Sequence, residues 1–118
     1  IGRHLGVKHI FSERVNGIME LRRGFNIAPK EKVVIVEDII TTGGSVFELI
    51  DLARAQEAEI IGVINLVDRS ENGVDFRMPS NTLLKIPSES WTPQNCPLCK
   101  KNIPLTQRGR TGKQVEII

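Results

Sequence analysis

The stretch Val33-Val34-Ile35-Val36-Glu37-Asp38-Ile39-Ile40-Thr41-Thr42-Gly43-Gly44-Ser45 decides how the rest of the chain is arranged. Its first four residues are β-branched, which is typical of a strand buried on both faces of a parallel sheet. Small residues then predict a loop, and a helix follows, with Val46, Leu49, Ile50 and Ala53 on one face. We expect Ser45 to cap this helix, with Glu48 completing a capping box.

The loop of this stretch predicts a phosphate site, because it brings backbone N–H groups, two threonine hydroxyls and a helix N-terminus to one point. Two carboxylates precede the loop, and a carboxylate pair accepts strong hydrogen bonds from a vicinal diol. Phosphate at one end and a diol at the other describe a ribose 5-phosphate. The predicted contacts are Glu37, Asp38, Thr41, Thr42, Gly43, Gly44 and Ser45. The alternative is a strand, turn and helix without a ligand. A Walker A site is disfavoured, because no Gly-Lys-Ser/Thr is present.

A second apolar run, residues 59–68, predicts another buried strand, so that strand, helix and strand form a right-handed parallel βαβ unit. Asp68-Arg69-Ser70 follows this strand and should lie beside the first loop, where ligands bind in such sheets. Arg69 suits a bidentate pair with a ligand carboxylate, or a salt bridge to Asp68 or Glu71. With a third strand at residues 83–86, the fold class is α/β with a Rossmann-like parallel sheet.

The N-terminal part predicts a small β-hairpin, because Asn16-Gly17 is a strong tight-turn signal between two short arms. A strand is also expected at residues 7–12, after the end of a helix at residues 1–6. Three arginines lie on or near the hairpin: Arg14, Arg22 and Arg23. They are either ordinary surface residues or ligands of phosphate groups.

Composition bounds the function. The chain has 118 residues, 40% of them hydrophobic and 25% charged, as in one small globular domain. A net charge of +2 is too small to argue for nucleic-acid binding. Residues 1–32 carry more bases than acids, which favours any polyanion, pyrophosphate included. No apolar run has membrane-spanning length and no secretory signal is visible.

The pair Cys96-Pro97-Leu98-Cys99 leaves several interpretations open. It suggests a reducing cytoplasm rather than a disulfide framework. One CxxC supplies only two of the four ligands that zinc needs. A redox role is another alternative, and two thiols packed in a turn is the interpretation we favour. Residues 105–118 are expected to be a poorly ordered basic tail.

The opening stretch closely resembles the phosphoribosyl pyrophosphate (PRPP) motif of type I phosphoribosyltransferases, in which four apolar residues, two acids and two variable residues precede a Thr/Gly/Ser loop. With Phe25, Val67-Asp68-Arg69-Ser70 and the CxxC, the chain is similar to a bacterial and archaeal group of orotate phosphoribosyltransferases. The resemblance extends from about residue 6 to residue 104. It implies a partial type I phosphoribosyltransferase fold in residues 1–104.

The resemblance implies an enzyme that transfers the phosphoribosyl group from PRPP to orotate, giving orotidine 5′-monophosphate and pyrophosphate in pyrimidine biosynthesis. It implies Mg²⁺ with PRPP and a homodimer. Glu37 and Asp38 would be the catalytic pair on the ribose hydroxyls, and the loop of Thr41 to Ser45 would hold the 5-phosphate. Arg14 would reach PRPP from a mobile basic loop. Arg69 would hold the orotate carboxylate, with Thr41 at the base site.

The chain differs from the family pattern at two places, and each difference leads to an expectation. Family members have an N-terminal segment and a first pyrophosphate loop before the point where Ile1 stands, so we expect an inactive fragment of a longer enzyme. Glu57 stands where relatives often carry a glycine, so we expect the helix to end differently. The alternatives are a phosphoribosyltransferase for a purine or another base, which Arg69 disfavours, and a PRPP-sensing transcriptional regulator, for which no nucleic-acid-binding element is visible.

Overall fold

The computed structural model describes residues 1–103. They fall into two compact units, one of residues 1–88 and a second that begins at residue 89. The tail expected at residues 105–118 lies outside the described residues, as does the domain boundary expected at residue 104. Within residues 1–103, every helix lacks the length and apolar character needed to cross a membrane.

The first unit is an α/β structure, as predicted. It contains a two-stranded antiparallel hairpin and a three-stranded parallel sheet in the order β3-β4-β5. Its elements in chain order are α1 (Gly2–Leu5), β1 (Ser12–Val15), β2 (Ile18–Leu21), β3 (Lys32–Ile40), α2 (Gly44–Ala55), β4 (Glu59–Asp68) and β5 (Ser80–Lys85).

The βαβ unit of β3, α2 and β4 is confirmed, and its register positions the site. β3 and β4 pair from Lys32↔Glu59 to Ile40↔Asp68, with one register shift between Val33 and Val34, and their carboxyl ends meet at one edge. β5 is parallel to β4 and begins three residues earlier than predicted, at Ser80. The core between α2 and the sheet consists of Ile35, Ile40, Val46, Ile50, Val63 and Phe76.

The expectation that β3 is buried on both faces is wrong for the described part of the chain. α2 covers the face that carries Ile35, while Val34 and Val36 on the opposite face remain 41% and 44% exposed. The same open face continues on β4, where Ile64 and Leu66 are exposed. The apolar run of β3 therefore corresponds to one face covered by α2 and one apolar face that the described residues leave exposed.

The predicted hairpin is confirmed, and the predicted strand at residues 7–12 is wrong. β1 and β2 pair from Ser12↔Leu21 to Val15↔Ile18. Asn16 and Gly17 both have positive φ, 50° and 86°, as a type I′ turn requires. Residues 7–11 have no strand to pair with among the described residues. Phe11 packs edge-on against Phe25 instead, with the ring centroids 5.0 Å apart.

The C-terminus of α2 ends through a left-handed residue that is not a glycine. Glu57 takes a left-handed conformation with φ 58°. Its N–H donates to the Arg54 carbonyl at 2.9 Å, and the Ala58 N–H donates to the Ala53 carbonyl at 3.1 Å. This pair of bonds is a Schellman motif. The expectation of a different ending is therefore wrong, because the motif places Glu57 itself in the left-handed position.

The second unit, in its described residues 89–103, contains one short helix, α3 (Pro97–Lys100). Pro97 occupies the first turn, where its missing N–H costs nothing. Cys96 precedes it as the N-cap residue and is buried, whereas Cys99 is exposed.

Candidate functional site

The loop between β3 and α2 is shaped by a glycine in a position that other residues fill poorly. Gly43 has φ 80°, and a Cβ added there would lie 2.7 Å from the Val74 Cγ1 atom. Gly44 is different, because its nearest neighbour to an added Cβ would be the Thr42 Oγ1 atom at 3.6 Å. The loop encloses a cavity of about 50 Å³, lined by Glu37 and by Ile39 to Val46.

The first turn of α2 is not capped by its N-cap residue, and its one side-chain bond is the long one from the Gly44 N–H to Thr42 Oγ1, at 3.4 Å. Gly43 is the N-cap residue and makes no side-chain cap bond, and no acid lies in the first turn. The predicted capping box is therefore wrong: Ser45 is the second helical residue, and the Glu48 carboxylate bonds elsewhere. N–H groups that stay uncapped at a helix N-terminus favour an anion, so this turn suits a phosphate.

Glu37 and Asp38 lie within β3 near its C-terminal end rather than after the strand, because β3 continues to Ile40. The Asp38 N–H donates to Glu37 Oε1 at 3.2 Å, and the Ile39 N–H donates to Asp38 Oδ1 at 2.7 Å. Glu37 is half-buried and lines the cavity, whereas Asp38 is exposed. Burial and the neighbouring Asp38 raise the pKa of Glu37 above its ordinary value. Asp38 thus presents its carboxylate to solvent, whereas the carboxylate of Glu37 is partly desolvated, which disfavours its charged form.

Asn65 is a buried polar residue that the sequence analysis did not single out. It pairs in register with Glu37 on one side and with Thr82 on the other. Its side chain is 2% exposed; Oδ1 accepts from the Thr82 hydroxyl at 2.8 Å, and Nδ2 has no partner among the described residues. The only signal in the sequence was one amide within the apolar run of β4. Because the register places it beside Glu37, we count it with the site.

Asp68 and Arg69 reach the same edge, as predicted. The Arg69 N–H donates to the Ile40 carbonyl at 2.7 Å, which ties the end of β4 to the residue before Thr41. Asp68 is buried, and its Oδ1 accepts from the Ser70 N–H at 2.8 Å and from the Ser70 hydroxyl at 2.5 Å. These bonds lower the pKa of Asp68. Within the described residues Arg69 forms no ion pair, so the alternative salt bridge to Asp68 or Glu71 is not present.

The three arginines of the hairpin region differ in their contacts. Arg14 donates to Glu48 in α2 at 2.8 Å, which places its guanidinium at the end of the helix that adjoins the loop. Arg23 pairs with Glu13 at 2.6 Å and lies 5.2 Å from the ring centroid of Phe11. Arg22 is exposed and makes no ion pair with the described residues. Two of the three are thus engaged within the chain.

A second cavity of about 180 Å³ lies beside the first, with Ile40 in the walls of both. Its polar walls include Asn65, Asp68 and Lys85, and its apolar walls include Val74 and Phe76. Among the described residues, no three His, Cys, Asp or Glu side chains are grouped as a metal site would need.

Comparison with known proteins gives a consistent picture. Residues 9–99 match the family model described as the phosphoribosyl transferase domain. The chain is 45% identical over 109 residues to a protein named orotate phosphoribosyltransferase from Caldanaerobacter subterraneus subsp. tengcongensis, covering 92% of this chain and 57% of the relative. It is 52% identical over 108 residues to a protein of the same name from Chlorobium phaeobacteroides, covering 92% of this chain and 56% of the relative.

A solved structure supports the fold. It is titled adenine phosphoribosyltransferase from Rhodothermus marinus, and it matches 72% of this chain and 60% of its own with a TM-score of 0.53 and 19% identity. At that identity the likeness concerns the fold alone. The curated relatives are longer, and this chain spans 56–60% of the lengths of the first ones it matches.

Proposed function

Because the chain belongs to the phosphoribosyl transferase domain family, we propose that it carries the PRPP site of an orotate phosphoribosyltransferase. The enzyme would transfer the phosphoribosyl group of PRPP to orotate, giving orotidine 5′-monophosphate and pyrophosphate in pyrimidine biosynthesis. The observation that carries the proposal is that Glu37 and the N-terminus of α2, which Gly43 does not cap, line one cavity, with Asp38 beside them. The relatives' names supply the substrate class.

The loop and the acid pair divide PRPP between them in this proposal. The loop of Thr41, Thr42, Gly43, Gly44 and Ser45 holds the 5-phosphate, because its N–H groups and hydroxyls donate to phosphate oxygens and the helix dipole favours the charge. The carboxylates of Glu37 and Asp38 accept hydrogen bonds from the two ribose hydroxyls. Asn65 lies in register with Glu37 on the neighbouring strand, and its buried Nδ2 donor has no partner among the described residues, so it is available to an acceptor that enters the site.

The reaction needs positioning rather than a nucleophile from the protein. A ring nitrogen of orotate attacks C1 of the ribose as pyrophosphate leaves, and positive charge develops on the ring. The chain's part is to fix the ribose by both ends and to place carboxylates near the developing charge. That is the sense in which Glu37 and Asp38 are catalytic.

Mg²⁺ is the cofactor proposed with PRPP, and the residues present fit it. Mg²⁺ favours oxygen ligands and binds through one or two carboxylates together with substrate phosphates, and the exposed Asp38 and half-buried Glu37 offer such oxygens next to the phosphate loop. Bound to the diphosphate, it would neutralise charge on the leaving group.

The base and the pyrophosphate have separate candidates. Arg69 would hold the orotate carboxylate through its bidentate guanidinium, and Thr41 would lie at the base because the Arg69 N–H bonds the residue before it. Arg14 is the proposed arginine for PRPP, since Glu48 places it next to the loop. Arg22, which is unpaired within the described residues, is the second candidate for the pyrophosphate. We further propose a cytoplasmic homodimer, and that the 118-residue chain has little activity alone.

The test is Asp38→Asn in the product of the complete gene. We expect PRPP affinity to fall by about 1.5–3 kcal/mol, more than tenfold, because a charge-assisted bond is lost. Thermal stability should change little, since Asp38 is exposed. Titration calorimetry with PRPP, with denaturation curves alongside, measures both.

The matched control is Asp51→Asn, an exposed acid on α2 away from the loop. It should leave PRPP affinity unchanged. If Asp38→Asn strongly lowers thermal stability while the folded variant binds PRPP with unchanged affinity, Asp38 is structural and the assignment fails. Turnover of adenine in place of orotate by the complete gene product would retain the family and reject the base.

A further inference from the structure

The proposed reaction makes no use of Cys96 and Cys99. They are the only cysteines in the chain, and both are reduced. Cys96 is the N-cap residue of α3 and Cys99 is the third helical residue, so the two thiols occupy one helical turn. Residues three apart on a helix lie on one face, with Cβ atoms about 5–6 Å apart.

The two cysteines are in direct contact, and their environments differ. The Cys99 N–H donates to the Cys96 sulfur at 3.2 Å. Cys96 is 8% exposed, whereas Cys99 is open to solvent. Hydrogen bonds from the Cys99 thiol and backbone lower the pKa of Cys96, and the same contact raises the pKa of Cys99. The buried sulfur is thus the one favoured as a thiolate, and the exposed sulfur is the one that a reagent reaches.

We propose that Cys96 and Cys99 are a redox-active dithiol that closes to an intramolecular disulfide. A disulfide needs its Cβ atoms about 3.5–4.5 Å apart, closer than the roughly 5–6 Å typical of residues three apart on a helix, so closure tightens the turn. Pro97 favours the approach, because its ring fixes φ at the start of that turn. Closure of such a pair in a reducing compartment is transient and responds to the redox state.

The chemistry assigns a role to each sulfur. A low-molecular-weight disulfide, such as oxidised glutathione, is the oxidant. The exposed Cys99 thiol loses its proton to solvent, attacks one of its sulfurs, forms a mixed disulfide and releases one thiolate. The Cys96 thiolate then attacks the Cys99 sulfur, forms the internal disulfide and releases the second thiolate. The two cysteines lose two electrons and two protons, and the small disulfide gains both as two thiols.

The reverse reaction follows the same path. A reducing thiolate attacks the exposed Cys99 sulfur, and Cys96 is the leaving group. A thiol of lower pKa leaves faster, so the disulfide is readily reduced from the exposed side. This asymmetry distinguishes a reversible pair from a structural disulfide.

The experiment uses the complete gene product, fully reduced and then incubated with defined ratios of reduced and oxidised glutathione. Free thiols are alkylated at intervals and the intact mass is measured. We expect Cys96 and Cys99 to become protected together, with no glutathione on the chain and no disulfide-linked dimer. Added reduced glutathione should restore both thiols.

Two variants separate the roles. Cys96→Ser leaves the exposed thiol without its partner and should accumulate one glutathione per chain on Cys99. Cys99→Ser should take up glutathione far more slowly, because Cys96 is buried. Serine is a good N-cap residue, so Cys96→Ser should retain the turn.

Three results would overturn the proposal. The first is a wild-type chain that keeps a stable glutathione adduct, as expected only for Cys96→Ser. The second is thiols that never become protected. The third is Zn²⁺, added alone to the reduced chain, binding at both cysteines and blocking oxidation, which would make the pair a metal site. The proposal does not rest on the phosphoribosyltransferase assignment, so each can fail without the other.

Discussion

At the scale of single residues, Gly43 and Gly44 show how much two neighbours of one type can differ. Gly43 combines φ 80° with a wall 2.7 Å from an added Cβ, while Gly44 is helical and has room. The sequence places both in the loop that we propose holds the phosphate. It does not tell them apart, because the wall is Val74, thirty-one residues away in the chain.

This difference predicts opposite effects of one substitution. Gly43→Ala should lower the free energy of unfolding by about 1–3 kcal/mol, the usual cost of a strained backbone, and should distort the loop. Gly44→Ala should leave stability equal or raise it by about 0.5–1 kcal/mol, because alanine is the better helix former. Urea denaturation of the two variants measures the contrast. Equal losses would mean that the loop has another conformation.

The environment of Glu37 in the folded protein disfavours its ionised form and so lowers stability when Glu37 is charged. Its pKa is raised in the folded state by burial and by Asp38, so the folded protein binds the proton more tightly than the unfolded chain. The contribution of Glu37 to stability is therefore favourable below its unfolded pKa and is lost as the pH rises through the folded value. At neutral pH the charged Glu37 therefore lowers the free energy of unfolding.

Glu37→Gln should accordingly raise stability at pH 7 relative to wild type, with the difference shrinking as the pH falls below the unfolded pKa of glutamate. PRPP affinity should fall in the same variant, because the amide is a weaker acceptor for a ribose hydroxyl. Thermal unfolding at several pH values measures the first effect and PRPP titration the second. Exposed Glu71→Gln is the control and should change neither. A Glu37→Gln protein that is less stable at pH 7 would contradict this account.

The limits of sequence reasoning are visible in the acids and in Asn65. Glu37 and Asp38 were predicted because their pattern is local, with two acids between an apolar run and a small-residue loop. Asn65 was not predicted, because its importance depends on the register that pairs it with Glu37 and Thr82. Register is a property of two strands, and a single strand's sequence does not contain it.

At the scale of elements, local signals predicted the helix face correctly and its N-terminus incorrectly. Val46, Ile50 and Ala53 are buried as the 3.6-residue spacing indicated. The capping box failed because Glu48 has a stronger partner in Arg14, thirty-four residues earlier. A capping box is a local competition, and a charged partner from another element can win it.

The end of α2 gives an element-scale prediction. Glu57 is left-handed at φ 58°, which costs a residue with a Cβ roughly 1–2 kcal/mol. Glycine removes that strain but returns about 0.4–1 kcal/mol through the freedom it adds to the unfolded chain. Glu57→Gly should therefore raise the free energy of unfolding by about 0.5–1 kcal/mol.

The matched control for Glu57→Gly is Glu59→Gly, at the first residue of β4. The same change there relieves no positive φ and should lower the free energy of unfolding by about 0.5–1 kcal/mol. Chemical denaturation of both variants gives the comparison. Two losses would show that the Schellman turn does not form as described.

At the scale of the whole molecule, the family assignment explains why so much was predictable. The strand, loop, helix and strand that build the site are contiguous from Lys32 to Asp68, and a contiguous pattern can be recognised in the sequence. The open face of the sheet could not be predicted from the sequence. An apolar run indicates that a strand can be covered on both sides and does not say what covers it. The described residues cover one side, and the curated relatives are longer than this chain.

In Arg69 the main chain contributes to the fold, whereas the side chain is available for the proposed function. Its main chain joins three segments, because the N–H bonds the Ile40 carbonyl at 2.7 Å and the carbonyl accepts from the Ser88 N–H at 3.2 Å. Its side chain is exposed and pairs with no other described residue. Removing the side chain should therefore leave β3, β4 and the segment at Ser88 connected as before.

In the complete gene product, Arg69→Ala should raise KM for orotate strongly and leave KM for PRPP within a few-fold. A guanidinium fork recognises a carboxylate bidentately, and a ligand lacking one leaves it unpaired. Arg69→Lys keeps the charge without the fork, so it should also impair orotate, whereas Arg77→Ala, an exposed arginine in the following loop, should impair neither substrate. Steady-state kinetics with each substrate varied in turn gives KM for orotate and KM for PRPP in each variant. Equal losses for orotate and PRPP would assign Arg69 to the fold or the phosphate site, and the choice of orotate would then rest on the relatives alone.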